Sequence, residues 1–408
     1  MPLRAETFIA SRLYFSHDED HRASRPAVKV ALAGMIIGVL VMILSFCVVV
    51  GFKRTISEQI AGFGSHIQVT SFESNNTHEL SPITVTDSLL DVLATLPHSK
   101  QVHSFLTKPA VIKTPDAFHG IVLKGTSYWD YFASHLIAGT LPESSQQVLV
   151  SQRVASLMNF GVDSTFFCYF VGENLRVRKL TVSGIYQTGF SEFDNQFILS
   201  NESLIRGVNH WNDSLVSGIE ILIDDLDNLD EAYDDVYFAM VNHVHDDGEF
   251  LYTQTLQQLN PQIFSWLDLL DMNVVVIIIL MLCVSGFNIV SGLIILILDS
   301  VHLIGLLKAL GADNAFVRRV FITRSTLLVM KGLLWGNLIG LGMAALQYFT
   351  HFLPLDAASY YVNYVPVAFP WTALVLLDIG TLFIALLILM APSAIVTRIS
   401  PVKVLHFD

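Results

Sequence analysis

The chain has 408 residues, 52% hydrophobic and only 14% charged, where an ordinary soluble domain carries roughly 25% charge, so a plain cytosolic protein is excluded. Its net charge of −13 is unevenly placed. Residues 53–271 hold 11 Lys or Arg against 27 Asp or Glu, a net −16, and the remainder holds 12 against 9, a net +3.

A helix needs about 20 apolar residues to cross the hydrocarbon of a bilayer. The first window of that kind is Val30–Phe52, 23 uncharged residues after a basic segment 1–29 with Arg4, Arg12, Arg22, Arg25 and Lys29. It is too long for the apolar core of a secretion signal and reads as a retained span. Phe52, Ile56 and Ile60 continue its helical spacing until Gly62 and Gly64, which predicts a stalk leading into a large domain over 53–271. Within it, β-rich runs are expected at 66–72, 111–113, 120–124, 166–170, 176–186, 196–199 and 218–223. Helical patterns fall at 87–96, 151–160 and 228–241, which makes the domain α+β. The acidic run Asp224–Asp235 lacks the glycine of a calcium loop and reads as a strand turning into a helix with acids in its first turn. Residues 254–271 return to helical spacing and form a second stalk.

The second span is placed at 272–298, the third at 325–349 with Lys331, and the fourth at 371–397 with Asp378. Lys331 is expected near the inner end of its helix and Asp378 near the outer end of its own. Between the second and third spans, 299–324 holds a short amphipathic helix with Ile304, Leu307 and Leu310. Gly311 is its stop, and Asp313 or Asn314 starts a new helix. This loop carries Lys308, Arg318, Arg319 and Arg324, and the tail 398–408 carries Arg398 and Lys403. The loop 350–370 has no Lys or Arg. Positive residues collect on the cytoplasmic side, so both termini are expected inside and the large domain outside. The fold class is a membrane protein with four transmembrane helices and a large α+β extracytoplasmic domain inserted between helices 1 and 2.

Catalytic signatures are missing from the sequence: no G-x-x-x-x-G-K-[ST], C-x-x-C, H-E-x-x-H or G-x-S-x-G occurs. His243 and His245 have no third ligand nearby, and no metal site, bound cofactor or nucleic-acid partner is expected. Of the three cysteines, Cys168 is the one outside the spans, so the domain holds no internal disulfide.

Several segments carry a resemblance: Phe8–Arg12 (FIASR), the helix end at Gly51-Phe52, Gly184–Asp194 (GIYQTGFSEFD), Phe287-Asn288-Ile289, Ile304–Ala312 (IGLLKALGA), Ala358–Val367 (ASYYVNYVPV) and Ser400–Val404 (SPVKV). Together they resemble the permease subunits of lipoprotein-releasing ABC transporters, LolC and LolE, within the broader FtsX/MacB-type permeases. The match covers nearly the whole chain. His302 and Leu303 stand where many relatives carry a basic-acidic pair, and the hairpin Thr165–Tyr186 lacks the proline of the LolC branch.

The resemblance implies a non-catalytic, multi-pass subunit of a bacterial inner membrane, whose outside domain is periplasmic and MacB-like. ATP and Mg would be bound by a partner ATPase pair, and a second permease copy or a related permease would complete the complex. ATPase coupling would involve Ile304, Gly305, Leu307, Lys308, Leu310 and Gly311. Acylated lipoprotein, taken from membrane lipid, would lie against Val49, Phe52, Ile56, Leu267, Leu270 and Val274. A periplasmic carrier would be steered by Arg176, Arg178 and Lys179. Two alternatives stay open: a MacB-type exporter of small molecules or peptides, and an FtsX-type regulator of a cell-wall hydrolase.

Overall fold

A computed structural model describes residues 25–74, 80–114, 117–170, 175–242 and 250–393. The FIASR and SPVKV segments, His243, His245, and the hairpin tip at 172–174 lie outside the described residues. The chain divides into two compact units, one of Met1–Phe52, Leu267–Leu353 and Val365–Asp408, the other of Lys53–Trp266 and Pro354–Tyr364.

In chain order the elements are α1 (Arg25–Phe63), β1 (Ile67–Ser71), β2 (Ile83–Thr84), α2 (Asp87–Ala94), β3 (Ser99–Lys113), β4 (Phe118–Thr126), α3 (Asp130–Ser134), β5 (Leu136–Gly139), β6 (Gln147–Ser151), α4 (Gln152–Met158), β7 (Thr165–Phe170) and β8 (Arg176–Tyr186). They continue with α5 (Ser191–Gln196), β9 (Phe197–Ser200), α6 (Glu202–Asn209), β10 (Leu215–Val216), β11 (Gly218–Ile223), α7 (Leu229–Asn242), β12 (Leu251–Thr255), α8 (Leu256–Leu259), α9 (Pro261–Asp299), α10 (Val301–Ala309), α11 (Asn314–Thr350), α12 (Ala357–Tyr360) and α13 (Trp371–Ser393).

The first unit is helical. Four helices, containing α1, α9, α11 and α13, are long and apolar enough to cross a membrane. On α1 the buried side chains Met35, Val39, Ile43 and Cys47 recur every fourth residue and face one cluster with Leu293, Ile304, Phe321, Leu333 and Leu389. Three glycines of α11 let it close on α1. A Cβ at Gly332 would lie 2.5 Å from Met35, one at Gly336 2.7 Å from Val39, and one at Gly340 3.4 Å from Ile43. This four-residue repeat of small residues is how membrane helices gain close packing where lipid supplies no hydrophobic drive. Residues 314–324 and the third span form one unbroken helix, because Asp313 caps it by accepting from Phe316 N at 2.8 Å and no Gly or Pro interrupts it before Gly332.

The second unit is the α+β domain. Its main sheet has ten strands in the order β12-β1-β11-β3-β4-β9-β6-β8-β5, with β7 joined to β3 and β8. The β4–β9 and β6–β8 pairs are parallel and the others antiparallel. Pro109 sits in β3 after that strand leaves β11 at Phe105 and before it meets β7 at Val111, so its missing N–H falls where no ladder bond is required. Residues 254–271 were expected to be helical, but Gln254 and Thr255 are instead the end of the edge strand β12, in which Thr253 lies opposite Val69. Pairing to β1 overrides the local helical spacing, and Thr255 then opens α8 with a capping box to Gln258. Strands β5 and β6 and helices α3, α5 and α6 were not marked by their sequence patterns, and β3 extends twelve residues upstream of the run expected at 111–113.

Candidate functional site

In the first unit, α10 is the short helix of the loop between the second and third spans. It ends in two hydrogen bonds, Ala312 N to Leu307 O at 3.0 Å and Gly311 N to Lys308 O at 3.1 Å, with Gly311 at φ 95°. Such a six-to-one closure needs a left-handed residue, which glycine adopts freely. The six residues expected to couple to an ATPase divide between two faces. Ile304 and Gly305 are buried, and Ile304 shares the bundle cluster with Val317 and Phe321, with Leu307 packed against it. Leu310 is 77% exposed, and Leu306, Ala309 and Gly311 are exposed with it. The outward apolar face is therefore Leu306 and Leu310, four residues apart, because the 304/307 face is used to hold the helix on the bundle.

The six residues expected against acyl chains are also placed differently from an open wall. Phe52, Ile56, Leu267 and Val274 are buried, and Val49 and Leu270 are half-buried. The exposed side of α9 is Met272, Val275, Val276, Ile279 and Leu280. Pattern could not have found that side, since a helix apolar all round offers no polar face to orient it. Asp378 lies seven residues beyond Trp371, nearer that end of α13. Its Oδ1 accepts from Asn337 Nδ2 at 2.9 Å, and Asn337 is the central residue of the 325–349 window. A carboxylate at that depth is expensive and takes a polar partner from the neighbouring helix.

In the second unit, the base of the domain holds a buried charge network. Lys124 on β4 donates to Glu220 Oε1 on β11 at 2.7 Å and to the carbonyl of Phe63, the last residue of α1, at 2.6 Å. Gln68 Nε2 donates to Glu220 Oε1 at 3.0 Å and His103 Nε2 to Oε2 at 3.2 Å. Burial pushes the Glu220 carboxyl up, but the Lys124 charge and the His103 and Lys124 hydrogen bonds outweigh it and hold it below the usual carboxylate range. The ammonium also lies over the Phe63 and Phe105 rings at 5.1 and 5.6 Å. A lysine thus satisfies the C-terminal end of the helix, where carbonyls lack partners and the dipole favours a cation.

From Phe63 a chain of rings continues: Phe63 stacks on Phe193 at 4.4 Å, Phe193 on Phe190 at 5.5 Å, Phe190 on Tyr361 at 5.0 Å, and Tyr361 meets Trp266 edge-on at 6.0 Å. Two segments singled out in the sequence, 184–194 and 358–367, therefore meet in space. The first is a turn closed by Asp194, whose carboxylate accepts from Thr188 Oγ1 at 2.8 Å, Thr188 N at 3.2 Å and Gly189 N at 3.2 Å. Burial raises the Asp194 pKa against those bonds.

The hairpin β7–β8 pairs Phe170 with Arg176, Cys168 with Arg178 and Phe167 with Lys179. Side chains alternate along a strand, so Arg176 and Arg178 share one face and Lys179 lies on the other. Lys179 is joined there by Phe167, Lys113 and Phe118, successive cross-strand neighbours of which Phe118 is 80% exposed. The three basic residues do not form one spot. No group of three or more His, Cys, Asp or Glu that could hold a metal is found among the described residues.

Four apolar helices with an α+β domain between the first and second define a multi-pass membrane permease with a large extracytoplasmic domain. Residues 30–236 match the MacB-like periplasmic core domain and residues 275–401 the FtsX-like permease C-terminal domain, so the chain belongs to the MacB/FtsX-like family of ABC transporter permeases, in its LolC/LolE-like group. It is 20% identical over 402 residues to the lipoprotein-releasing system transmembrane protein LolC of Xylella fastidiosa, covering 93% of each chain. To the LolE protein of Haemophilus influenzae it is 22% identical over 408 residues, covering 92% of this chain and 93% of the relative. The crystal structure of the periplasmic region of MacB from Actinobacillus actinomycetemcomitans overlaps 51% of this chain and 97% of its own, with 15% identity and a TM-score of 0.35.

Proposed function

We propose that this chain is the permease subunit of a transporter that draws acylated lipoproteins from the outer leaflet of the inner membrane and passes them to a periplasmic carrier. Both termini lie in the cytoplasm, ATP and Mg are bound by a partner ATPase pair, and this subunit transmits movement without catalysing a reaction. The ATPase docks on α10 through Leu306, Lys308 and Leu310, with Ile304, Gly305, Leu307 and Gly311 holding that helix in place. The acyl chains reach Val49, Phe52, Ile56, Leu267, Leu270 and Val274 once α1 and α9 part, since four of the six are buried in this state. Arg176, Arg178 and Lys179 supply positive charge on an acidic domain and steer the carrier.

One observation carries the reading. Two helices of 39 residues, α1 and α9, lead from apolar spans into the domain. Each is about 58 Å long at 1.5 Å per residue, well beyond the roughly 30 Å of hydrocarbon. The domain's ring chain runs from Phe63 at the end of α1 to Trp266 in the first turns of α9. Lever-like helices with their domain ends bound together suit mechanical work on a substrate outside the membrane.

The test is reconstitution of the chain with its ATPase in proteoliposomes holding a fluorescent acylated protein, with a soluble carrier outside. ATP-dependent transfer to the carrier is expected. ATP hydrolysis with no transfer, accompanied by export of a small molecule or by activation of a cell-wall hydrolase, would replace this reading with one of its alternatives.

A further inference from the structure

Burial along α9 changes abruptly at Ser285. No residue from Val275 to Val284 is buried, whereas Ser285, Gly286, Ile289, Gly292, Leu293 and Ile297 all are. The second stretch is held against α1 by small residues on both helices. A Cβ on Gly38 would lie 2.3 Å from Ser285 Oγ, one on Gly34 2.1 Å from Asn288 Nδ2, and one on Gly292 2.9 Å from the Ala31 Cβ. The three pairs follow one antiparallel register, and the Phe287-Asn288-Ile289 segment singled out in the sequence lies within it. Continued along α9 toward its N-terminus, that register sets Met281 opposite Met42 and Val274 opposite Val49, and no glycine occurs on α1 from 39 to 50 or on α9 before Gly286. The first helix itself is fastened on both sides of the change. Glycines of α11 receive Met35, Val39 and Ile43, and further along Ala368 N donates to Cys47 O at 3.0 Å while a Cβ on Gly51 would lie 2.5 Å from Pro366 O.

We propose that Gly34, Gly38, Ser285 and Asn288 form a fixed pivot, on which the 272–284 half of α9 swings away from α1 while α1 stays with α11. If, as proposed above, acyl chains enter between α1 and α9, this swing is the opening, because Val49 and Val274 face each other beyond the pivot. The two halves differ in what parting them requires. Large apolar side chains of 272–284 exchange α1 for lipid tails that are equally apolar, so they lose packing and little else. Parting the glycine contacts would break a backbone-close fit and turn the Asn288 amide and the Ser285 hydroxyl toward hydrocarbon, where neither finds a partner. Met272 is thirteen residues from Ser285, about 20 Å along the helix, so a swing of about 15° carries it about 5 Å.

The experiment assembles the full chain with its ATPase in proteoliposomes holding neither lipoprotein nor carrier, with Cys47, Cys168 and Cys283 replaced by Ala. Gly34→Cys/Asn288→Cys puts the two Cβ atoms about 3.5 Å apart, within reach of a disulfide, and Gly38→Cys/Ser285→Cys is a second such pair at 3.7 Å. Spin labels on ketone-bearing residues at Met272 and Leu338, both exposed, report the distance from α9 to α11, and labels at Ile37 and Leu338 report α1 to α11. Between nucleotide-free and ATP-bound complexes the first distance should shift by about 5 Å and the second should stay constant, and the shift should persist with the disulfide closed. A shift abolished by the closed disulfide, no shift in the open protein, an equal shift at Ile37–Leu338, or failure of both cysteine pairs to close would each overturn the pivot. Transfer is not read in this experiment, so a complex that shows the swing and yet delivers no lipoprotein would refute the proposed function and leave the pivot standing.

Discussion

Replacing Lys124 with Met keeps the four-atom stem over Phe63 and Phe105 and removes only the ammonium. Glu220 then remains 1% exposed, with Gln68 and His103 as its surviving donors, and the Phe63 carbonyl at the end of α1 loses its partner. Removing one member of a buried ion pair costs about 3–5 kcal/mol, most of it the penalty of a buried, poorly compensated charge. For a domain of this size each kcal/mol moves the unfolding midpoint by about 2–4 °C, so a loss of about 6–20 °C is expected. The double variant Lys124→Met/Glu220→Met removes the stranded charge and should recover to within about 2 kcal/mol of the parent. Thermal unfolding of the full chain in detergent, followed by the fluorescence of its five tryptophans at one scan rate, measures both. A single variant within about 1 kcal/mol of the parent, or a double variant less stable than the single, would refute the account of the network given above.

Three further outcomes are expected. Burial, with a smaller contribution from Lys100, lowers the His66 pKa to about 4, and its Nδ1 accepts from Ile223 N, a bond that only the neutral ring makes. The unfolded chain takes up that proton near pH 6.5, so stability should fall as pH drops from about 6.5 toward 4, by about 3 kcal/mol in all at roughly 1.36 kcal/mol per unit. A His66→Gln protein whose urea midpoint shows the same pH slope as the parent would contradict this. Leu310→Asp should abolish co-purification with the ATPase and leave the monomer's unfolding midpoint unchanged, whereas Ile304→Asp should lower that midpoint by several kcal/mol equivalents because the charge enters the bundle core. Equal effects of the two on the midpoint would return the docking face to the 304/307 side. Gly336→Leu forces a side chain where a Cβ alone is already 2.7 Å from Val39, and should separate α11 from α1 at a cost of about 1–3 kcal/mol or more, read as a lower unfolding midpoint of the full chain in detergent; an unchanged midpoint would contradict the close packing.

Composition and charge were enough to place four spans and the acidic domain between the first two, because hydrocarbon excludes charge whatever surrounds the helix. Local punctuation was also legible. Gly311 stops α10, Asp313 caps α11, and the acids after β11 gather before and within the first turn of α7, since each of these depends on backbone groups only a few residues away. Faces were not legible. In α9 the residues are apolar on every side, so only packing decides that Val274 is buried and Val275 exposed. At the end of β12 the pattern favoured a helix from Gln254, and the ladder to β1, nearly two hundred positions earlier, kept Gln254 and Thr255 in the strand. The same distance hid the two polar pairs. Lys124 and Glu220 are 96 positions apart, and Asn337 and Asp378 are 41 apart. Glu220 stands in an otherwise apolar strand, where its charge is tolerable only because Lys124, Gln68 and His103 converge on it. A sequence states which groups must find partners; the chain's return across the sheet or bundle determines which partners they find, because that contact is fixed by long-range packing and by no local rule.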